Sequence, residues 1–414
     1  MNRSILSVAF CVVALAVAAP GVRAQPATPS GTASYSPSLD VSLYGRLYPG
    51  ITVAGTQGAT DPASVPATLV GTGTGGDLKG RSSVDSAGSR VGARVREDFG
   101  GGAKLIAQIE TIADIDRGTG IWGSGDSFLG LDGSMGTVRL GRMVTVYRAY
   151  GDRFDFLGVA EGNFVSASSI LARPGFGIAP ESVHFHQRTS NAVVYDSPRF
   201  GAWEFALQYA KAEDDAYLSD GRPNIGSAGL RFSSGAVTLA LAYELHRDVF
   251  GASRTQTAGL PRNDLIYGTS SRDAATRLSA EVRAGAHRLT GDVSHTRYSE
   301  RGGVAGSFSE YRNWAYALGW EARWRGPWRT AVQFAAATAG KCALEGGLAC
   351  NTAGLGGRLV SLGTGYALSR RTGVFLLLAR LDNSASATYN NLLNAQPSRG
   401  AQITQAAAGV SHSF

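Results

Sequence analysis

Between Ala236 and His246 the chain reads AVTLALAYELH, and apolar and polar positions alternate. Val237, Leu239, Leu241, Tyr243 and Leu245 share one face of an extended strand, and Thr238, Ala240, Ala242, Glu244 and His246 share the other. A half-buried strand of a soluble domain would look the same over so short a stretch. The pattern recurs along the whole chain, however, joined alternately by tight turns and long polar loops. That recurrence predicts a transmembrane β-barrel.

The alternation outlines sixteen strands, at roughly 38–54, 87–97, 103–113, 126–132, 137–143, 183–196, 201–211, 224–233, 236–246, 274–283, 287–298, 310–323, 328–338, 357–368, 372–381 and 401–414. Short connections (Asp98–Gly102, Gly133–Gly136, Ser197–Arg199, Ser233–Gly235, Ala284–Ala286, Arg325–Pro327, Ser369–Arg371) alternate strictly with long ones. The long ones cover about 55–86, 114–125, 144–182, 212–223, 247–273, 299–309, 339–356 and 382–400. This is the arrangement expected if one rim faces the periplasm and the other the outside. Loop 144–182 is the longest, beyond an ordinary hairpin connection.

The faces carry a second message. Trp203, Phe205, Leu207 and Tyr209 form one apolar row, and Trp314, Tyr316, Leu318 and Trp320 form another that suits an interfacial girdle. Opposite faces hold Arg277, Ser279, Glu281 and Arg283, then Arg288, Thr290, Asp292 and Ser294. Such rows are expected to need water, which favours a wide barrel with an aqueous lumen. A secreted β-sandwich or propeller is the soluble alternative, but no blade motif recurs.

Residues 1–24 read as a cleaved secretory signal, with Arg3, an apolar run from Ile5 to Ala19, and Val22-Arg23-Ala24 before the cut. Residues 25–37 would be a mature N-terminal segment and 38–414 the barrel. The net charge of +7 falls to +5 without Arg3 and Arg23, and only Lys79, Lys104, Lys211 and Lys341 are lysine. Two cysteines then remain, Cys342 and Cys350, for which a loop-closing disulfide suits an exported chain; a redox or metal pair is the alternative. No mature segment approaches the roughly 18 apolar residues of a membrane helix. The longest apolar run is Gly373 to Ala379.

Several ordered motifs carry a resemblance. They are Val41-Ser42-Leu43-Tyr44-Gly45-Arg46; Gly88-Ser89-Arg90-Val91-Gly92; Glu97-Asp98-Phe99-Gly100-Gly101-Gly102-Ala103-Lys104; and Gly136-Thr137-Val138-Arg139-Leu140-Gly141-Arg142. Asn191 to Pro198, Tyr366 to Thr372 and Gly409-Val410-Ser411-His412-Ser413-Phe414 continue the series. From about residue 38 onward the chain resembles the trimeric general porins of the Gram-negative outer membrane. The resemblance implies a sixteen-stranded barrel, a homotrimer, passive diffusion of small hydrophilic solutes, and loop 144–182 folded inward as a constriction. It also implies barrel assembly through the terminal strand, ending on the aromatic Phe414.

In that family, wall arginines face acidic residues of the inward loop. Arg46 and Arg90 match the wall positions, with Arg94 and Arg96 on the face of Arg90, and Arg188 is a further inward candidate in register with Ser190 and Asp196. Asp152, Asp155 and Glu161 are the acidic candidates on the loop. Two departures stand out. Gly125-Asp126-Ser127-Phe128 lacks the arginine that related chains often place before the aromatic residue, and Arg173-Pro174-Gly175-Phe176-Gly177 lacks the loop's usual acid. The arginine-rich composition still leads to an expected weak anion preference.

Other motifs carry less. Gly71-Thr72-Gly73-Thr74-Gly75-Gly76 matches a nucleotide-loop pattern without a strand and helix around it. His184 and His186 share a strand face but lack a third metal ligand. No nucleophile motif appears, and no clustered basic stripe suits nucleic acid. The sequence thus predicts a channel in outer-membrane lipid, with no enzyme activity, metal or cofactor. A substrate-selective channel and a secreted soluble β-enzyme are the alternatives.

Overall fold

The computed structural model describes residues 38–70, 76–86, 88–158, 165–176, 184–211, 223–249, 270–392 and 395–414. The signal segment, the 25–37 segment, Glu161 and most of the Gly71–Gly76 motif lie outside the described residues. Ser38–Phe414 forms one compact unit.

Among the described residues, nineteen extended segments make sixteen strands, because three strands are each interrupted once. They are β1 (Leu39–Leu47 and Gly50–Gln57), β2 (Arg81–Asp85 and Arg90–Asp98), β3 (Lys104–Ile112), β4 (Ser127–Gly133), β5 (Gly136–Val144), β6 (Arg188–Asp196), β7 (Trp203–Lys211) and β8 (Asn224–Ser234). There follow β9 (Val237–Arg247), β10 (Ser270–Ala284), β11 (His287–Arg301), β12 (Phe308–Arg323), β13 (Trp328–Ala337 and Lys341–Leu344), β14 (Gly357–Ala367), β15 (Thr372–Asn383) and β16 (Gln402–Ser413).

Each strand pairs antiparallel with its sequence neighbours, and β16 returns to β1 through Gln402↔Gln57 to Gly409↔Gly50 and Arg46↔Ser413. Closure leaves no unpaired edge, which a membrane requires because lipid cannot satisfy backbone polar groups. At the seam, Phe414 exchanges two backbone hydrogen bonds with Gly45, both 3.1 Å. Its ring lies where a Cβ on Gly45 would stand, so a side chain there would collide with it.

The alternation sorts the faces as expected. Leu39, Val41 and Leu43 on β1, Leu207 and Tyr209 on β7, Leu239, Leu241 and Tyr243 on β9, and Trp314, Tyr316 and Leu318 on β12 are all exposed, as a lipid-facing surface demands. The interruption of β1 falls at Tyr48-Pro49, where proline has no N–H for the ladder. It faces the interruption of β2, and the Tyr48 N–H donates to Ser89 Oγ at 2.8 Å.

The structure corrects the sequence reading in three main places. Strand β1 runs on to Gln57 and β2 begins at Arg81, so the first long loop is shorter than 55–86. The sixth strand starts at Arg188 rather than 183, and His184 and His186 sit in a bend. The third correction is to register. Gly141 pairs Ala192 but Met143 pairs Thr189, so β6 holds one extra residue there, with Asn191 at φ +51°. Alternation therefore inverts across the bulge: Thr189 turns inward to Gln208, and Ser190 is exposed. Arg188 is not in register with Asp196.

Candidate functional site

The segment between β5 and β6 rests on the face of the wall opposite the lipid face, so it crosses the lumen. Thr145 caps its first helix, α1 (Val146–Gly151), by accepting the Arg148 N–H at 3.3 Å. A 3-10 turn follows at Phe156–Gly158, then a short helix α2 at Ser168–Leu171. Helix α1 packs on β7 to β10, whereas the turn and α2 pack on β12 to β14.

The seat is built from small inward residues. Ala206, Ala210, Ala240, Ala242, Ala315, Ala317, Ala331 and Ala335 are all buried under the segment. A Cβ added to Gly229 would lie 2.7 Å from the Tyr150 ring, and one added to Gly363 would lie 2.6 Å from Phe156. Polar wall groups complete the docking. The Val146 N–H donates to Gln208 Oε1 and the Tyr147 N–H to Ser227 Oγ, each at 2.8 Å. Ser294 Oγ donates to the Leu171 carbonyl at 3.0 Å.

Apart from Arg283, which is exposed at the rim, the charged rows of β10 and β11 belong to this seat, and that overturns their expected exposure to water. Arg277 retains 2% of its accessible surface. Its Nε donates to Asp292 Oδ1 at 2.9 Å, and Ser279 Oγ donates to the same oxygen at 2.5 Å and lies 3.2 Å from the Gly151 carbonyl. Arg288 donates to the Arg153 carbonyl. A buried guanidinium is tolerable because its charge is paired at close range. The charges of this row hold the segment in place.

On the other side the segment leaves a cavity of about 410 Å³. Its wall is formed by Arg90 and Arg94 of β2, Gln108 and Glu110 of β3, Phe128 of β4, Arg139 of β5 and Arg188, together with Asp126. The segment contributes Arg148, Asp152, Phe154, Asp155 and Val165 to Ala167, and the edge of the seat contributes Arg277 and Asp292. Arginines and carboxylates alternate across this surface. Arg90 Nη1 stands 3.9 Å and Arg188 Nη2 3.8 Å from Glu110 Oε1, and Arg188 Nε donates to Asp126 Oδ1 at 2.8 Å. Tyr44 Oη donates to Glu110 Oε2 at 2.9 Å, and Arg94 stacks 3.9 Å above the Tyr44 ring.

The residues nominated from sequence separate. Arg90, Arg94, Arg188, Asp152 and Asp155 meet at the cavity. Arg46 lies next to it in the barrel and donates to the Gly158 carbonyl, which also accepts Tyr48 Oη at 2.5 Å. Arg96 stands apart, exposed and 3.9 Å from Asp132. Asp152 Oδ2 lies 2.9 Å from His186 Nε2. Burial alone would raise the Asp152 pKa, but His186, Arg277 and Arg148 outweigh it and hold the carboxyl well below its ordinary range. Burial first, then Arg173, pushes the His184 pKa down to about 3.

Sequence reasoning passed over Arg139, Arg148, Glu110, Tyr48 and also Arg329, whose Nη1 donates to the Leu157 carbonyl of the segment at 3.5 Å. For Arg139 and Glu110 the strand period was signal enough. Tyr48 follows the same period, two residues after Arg46 on the inward face. Arg148 depends on a helix inside a loop. In the stretch Gly125-Asp126-Ser127-Phe128, Asp126 anchors Arg188 and accepts the Val144 N–H at 3.1 Å where the segment begins. Phe176, in the stretch lacking the usual acid, enters an aromatic cluster with Tyr298, Phe308 and Tyr311. Cys342, in the second part of β13, is joined by a disulfide to Cys350 in the loop that follows. Among the described residues no group of three ligating side chains could hold a metal, and no helix is long and apolar enough to cross a membrane.

A closed antiparallel barrel with an apolar exterior, a charged interior and a segment packed within it defines a membrane β-barrel with an interior passage. The family model for Gram-negative porins matches residues 8–386. The chain belongs to that family, whose place is the outer membrane. Relatives include the major outer membrane protein P.IB of Neisseria lactamica, 33% identical over 181 residues, covering 42% of this chain and 45% of the relative. The P.IB protein of Neisseria meningitidis serogroup A is 31% identical over 222 residues, covering 51% and 56%. The chain thus spans about half the length of the curated relatives it matches. Among solved structures, an anion-selective porin from Comamonas acidovorans has a TM-score of 0.66 at 21% identity, covering 91% of this chain and all of that one. The trimer form of OmpT from Vibrio cholerae has a TM-score of 0.59 at 12% identity, covering 91% and 100%. At these identities the two structures bear on the fold alone.

Proposed function

We propose that the chain forms a water-filled channel for passive diffusion of small hydrophilic solutes and ions, and that its passage is weakly selective for anions. The observation that carries this reading is the cavity between the arginine wall and the inward segment, lined by six arginines and five carboxylates. Charges of both signs on facing surfaces set up a transverse field, and a surplus of one positive charge gives a slight preference for anions. Arg90, Arg94 and Arg188 line the passage with Asp152 and Asp155, Arg46 steadies the segment at its rim, and Arg96 works nearer the short turns. The segment 144–182, Glu161 included, is the constriction.

The reading gives the chain no catalytic step. It extends to assembly as a homotrimer in outer-membrane lipid, supported by family membership, and to insertion by the barrel-assembly machinery through β16 and Phe414. Reversal potentials in planar bilayers under a salt gradient test it, with a small potential of anionic sign expected; clear cation selectivity sinks the ion preference. Liposome swelling with sugars of graded size separates general diffusion from selectivity. A smooth decline with size supports diffusion, and one outlying solute supports a selective channel.

A further inference from the structure

The short turns are not alike in charge. Those after β10, β12 and β14 carry Arg283, Arg323, Arg325, Arg370 and Arg371, all exposed, and no carboxylate within the turns themselves. Only Arg283 has an acidic partner, Glu281 at 2.6 Å; among the described residues the other four make no ion pair. The turns after β2, β4 and β6 are flanked instead by Asp98, Asp132 and Asp196, and the single arginine within them, Arg199, is held by the Gly201 and Ser233 carbonyls.

The basic turns are also contiguous. The Arg323 N–H donates to the Ala286 carbonyl at 2.9 Å and the Ala367 N–H to the Pro327 carbonyl at 3.0 Å, so the three turns form one strip of rim.

A second observation places this strip at a lipid headgroup layer. Trp320, Trp324, Trp328 and Tyr366 surround it, with Trp320 and Trp324 centroids 6.3 Å apart and Trp328 and Tyr366 4.9 Å apart. Trp324 and Trp328 are exposed, and Trp324 Nε1 is tethered to Thr330 Oγ1 at 2.9 Å. Exposed indoles on the outer wall of a membrane barrel sit at the interface between hydrocarbon and headgroups. Arg323 and Arg325, on either side of Trp324, then stand among the phosphates, with Arg370 and Arg371 on the adjoining turn.

We propose that this strip is a headgroup site for anionic phospholipid of the leaflet the short turns enter, with Arg323, Arg325, Arg370 and Arg371 taking the phosphate. Guanidinium forks suit phosphate oxygens better than ammonium groups do, and all four positions are arginine. The placement rests on the porin reading, which puts the short turns on the periplasmic side. A basic cluster at an anionic surface enriches the matching lipid in a salt-dependent way.

Native mass spectrometry of the full chain in detergent tests this, with phosphatidylglycerol and phosphatidylcholine offered at equal concentration. We expect about fivefold more phosphatidylglycerol adducts at low salt, on the order expected for one arginine held at an anionic surface. The preference should vanish in R323Q/R325Q/R370Q/R371Q and, for the parent, near 1 M salt, where the Debye length is about 3 Å. The variant must keep heat-modifiable mobility. If it fails to fold, bromine quenching read as the difference between parent and W324F decides, with brominated phosphatidylglycerol expected to quench more than brominated phosphatidylcholine. Equal binding of the two lipids by the parent overturns the proposal, as does an unchanged preference in the folded variant. So does arginine-dependent sedimentation with purified cell-wall sacculi without lipid preference, which assigns the strip to an acidic wall polymer. Absence of single-channel conductance in the parent is a separate failure, of the porin reading.

Discussion

Two parts of the inner wall carry similar chemistry and do opposite things. On β2 to β6, Arg90, Arg94, Arg139 and Arg188 face an open cavity. On β10 and β11, Arg277, Ser279, Asp292 and Ser294 are buried beneath the inward segment, and only Arg277 and Asp292 touch the edge of that cavity. The period-2 pattern of both regions says only that these residues point inward. What separates them is the neighbouring side chains. Around the buried row the wall is paved with alanine and glycine, which leave room for Tyr147, Tyr150 and Phe156. Around the open wall the inward positions are long and charged, and they hold the segment at a distance. Small inward residues mark where the segment rests, and arginines mark where space remains.

The largest effect should come from breaking the buried row. Arg277→Met leaves Asp292 charged without its partner, and loss of one member of a buried pair costs about 3–5 kcal/mol. The loss should appear as a lower temperature for heat-modifiable mobility and as noisier, larger conductance; parent-like behaviour in both would mean the row does not hold the segment. A smaller effect, about 1–3 kcal/mol, is expected for Gly229→Val, which overfills the contact with Tyr150. Here the conductance increase should exceed any change in the barrel's melting, because the clash lies between wall and segment.

On the open side, Arg94→Glu should leave stability within about 1 kcal/mol, since the guanidinium is exposed and pairs only weakly. It turns six arginines and five carboxylates into five and six, so the reversal potential should change sign. An unchanged sign would remove Arg94 from the selective zone.

The smallest effect concerns pH. His184 is held neutral, its pKa lowered from 6.5 to about 3 by burial and Arg173. The unfolded or undocked segment therefore binds a proton that the docked one refuses between those values. Docking is fully favoured above about 6.5 and weakens as pH falls toward 3. Conductance noise should rise over that window, and His184→Phe should flatten the rise; an identical pH profile in the variant would clear His184 of the effect.

Much of this was legible beforehand, for reasons that particular elements make clear. Strands β7 to β9 and β12 to β14 fall within a few residues of their predicted bounds, because each has lipid outside and follows a period of two. The same period puts Arg90 and Arg94 on the face that lines the cavity. Arg188 was found on a mistaken register, since nothing in the local pattern announces the extra residue at Asn191. Tyr48 was legible too, since it lies two residues from Arg46 on the same face of the predicted strand 38–54. The run from Gly373 to Ala379 was noted only as the longest apolar stretch. It is apolar on both faces because Leu376 and Leu378 meet lipid while Phe375 and Leu377 meet the inward segment.

The sequence by itself determined the barrel, its strand number, its lipid face and the alternation of short turns with long loops. These follow from one repeating requirement: every spanning residue faces either hydrocarbon or the interior, and every backbone group must be paired. Tertiary structure alone decided which interior residues face the passage. Wetness depends on the path of a segment that docks on strands 60 to 200 residues away in the chain, through contacts such as Tyr147 to Ser227 and Leu157 to Arg329. Burial of this kind is a property of the assembled wall, and no local period encodes it.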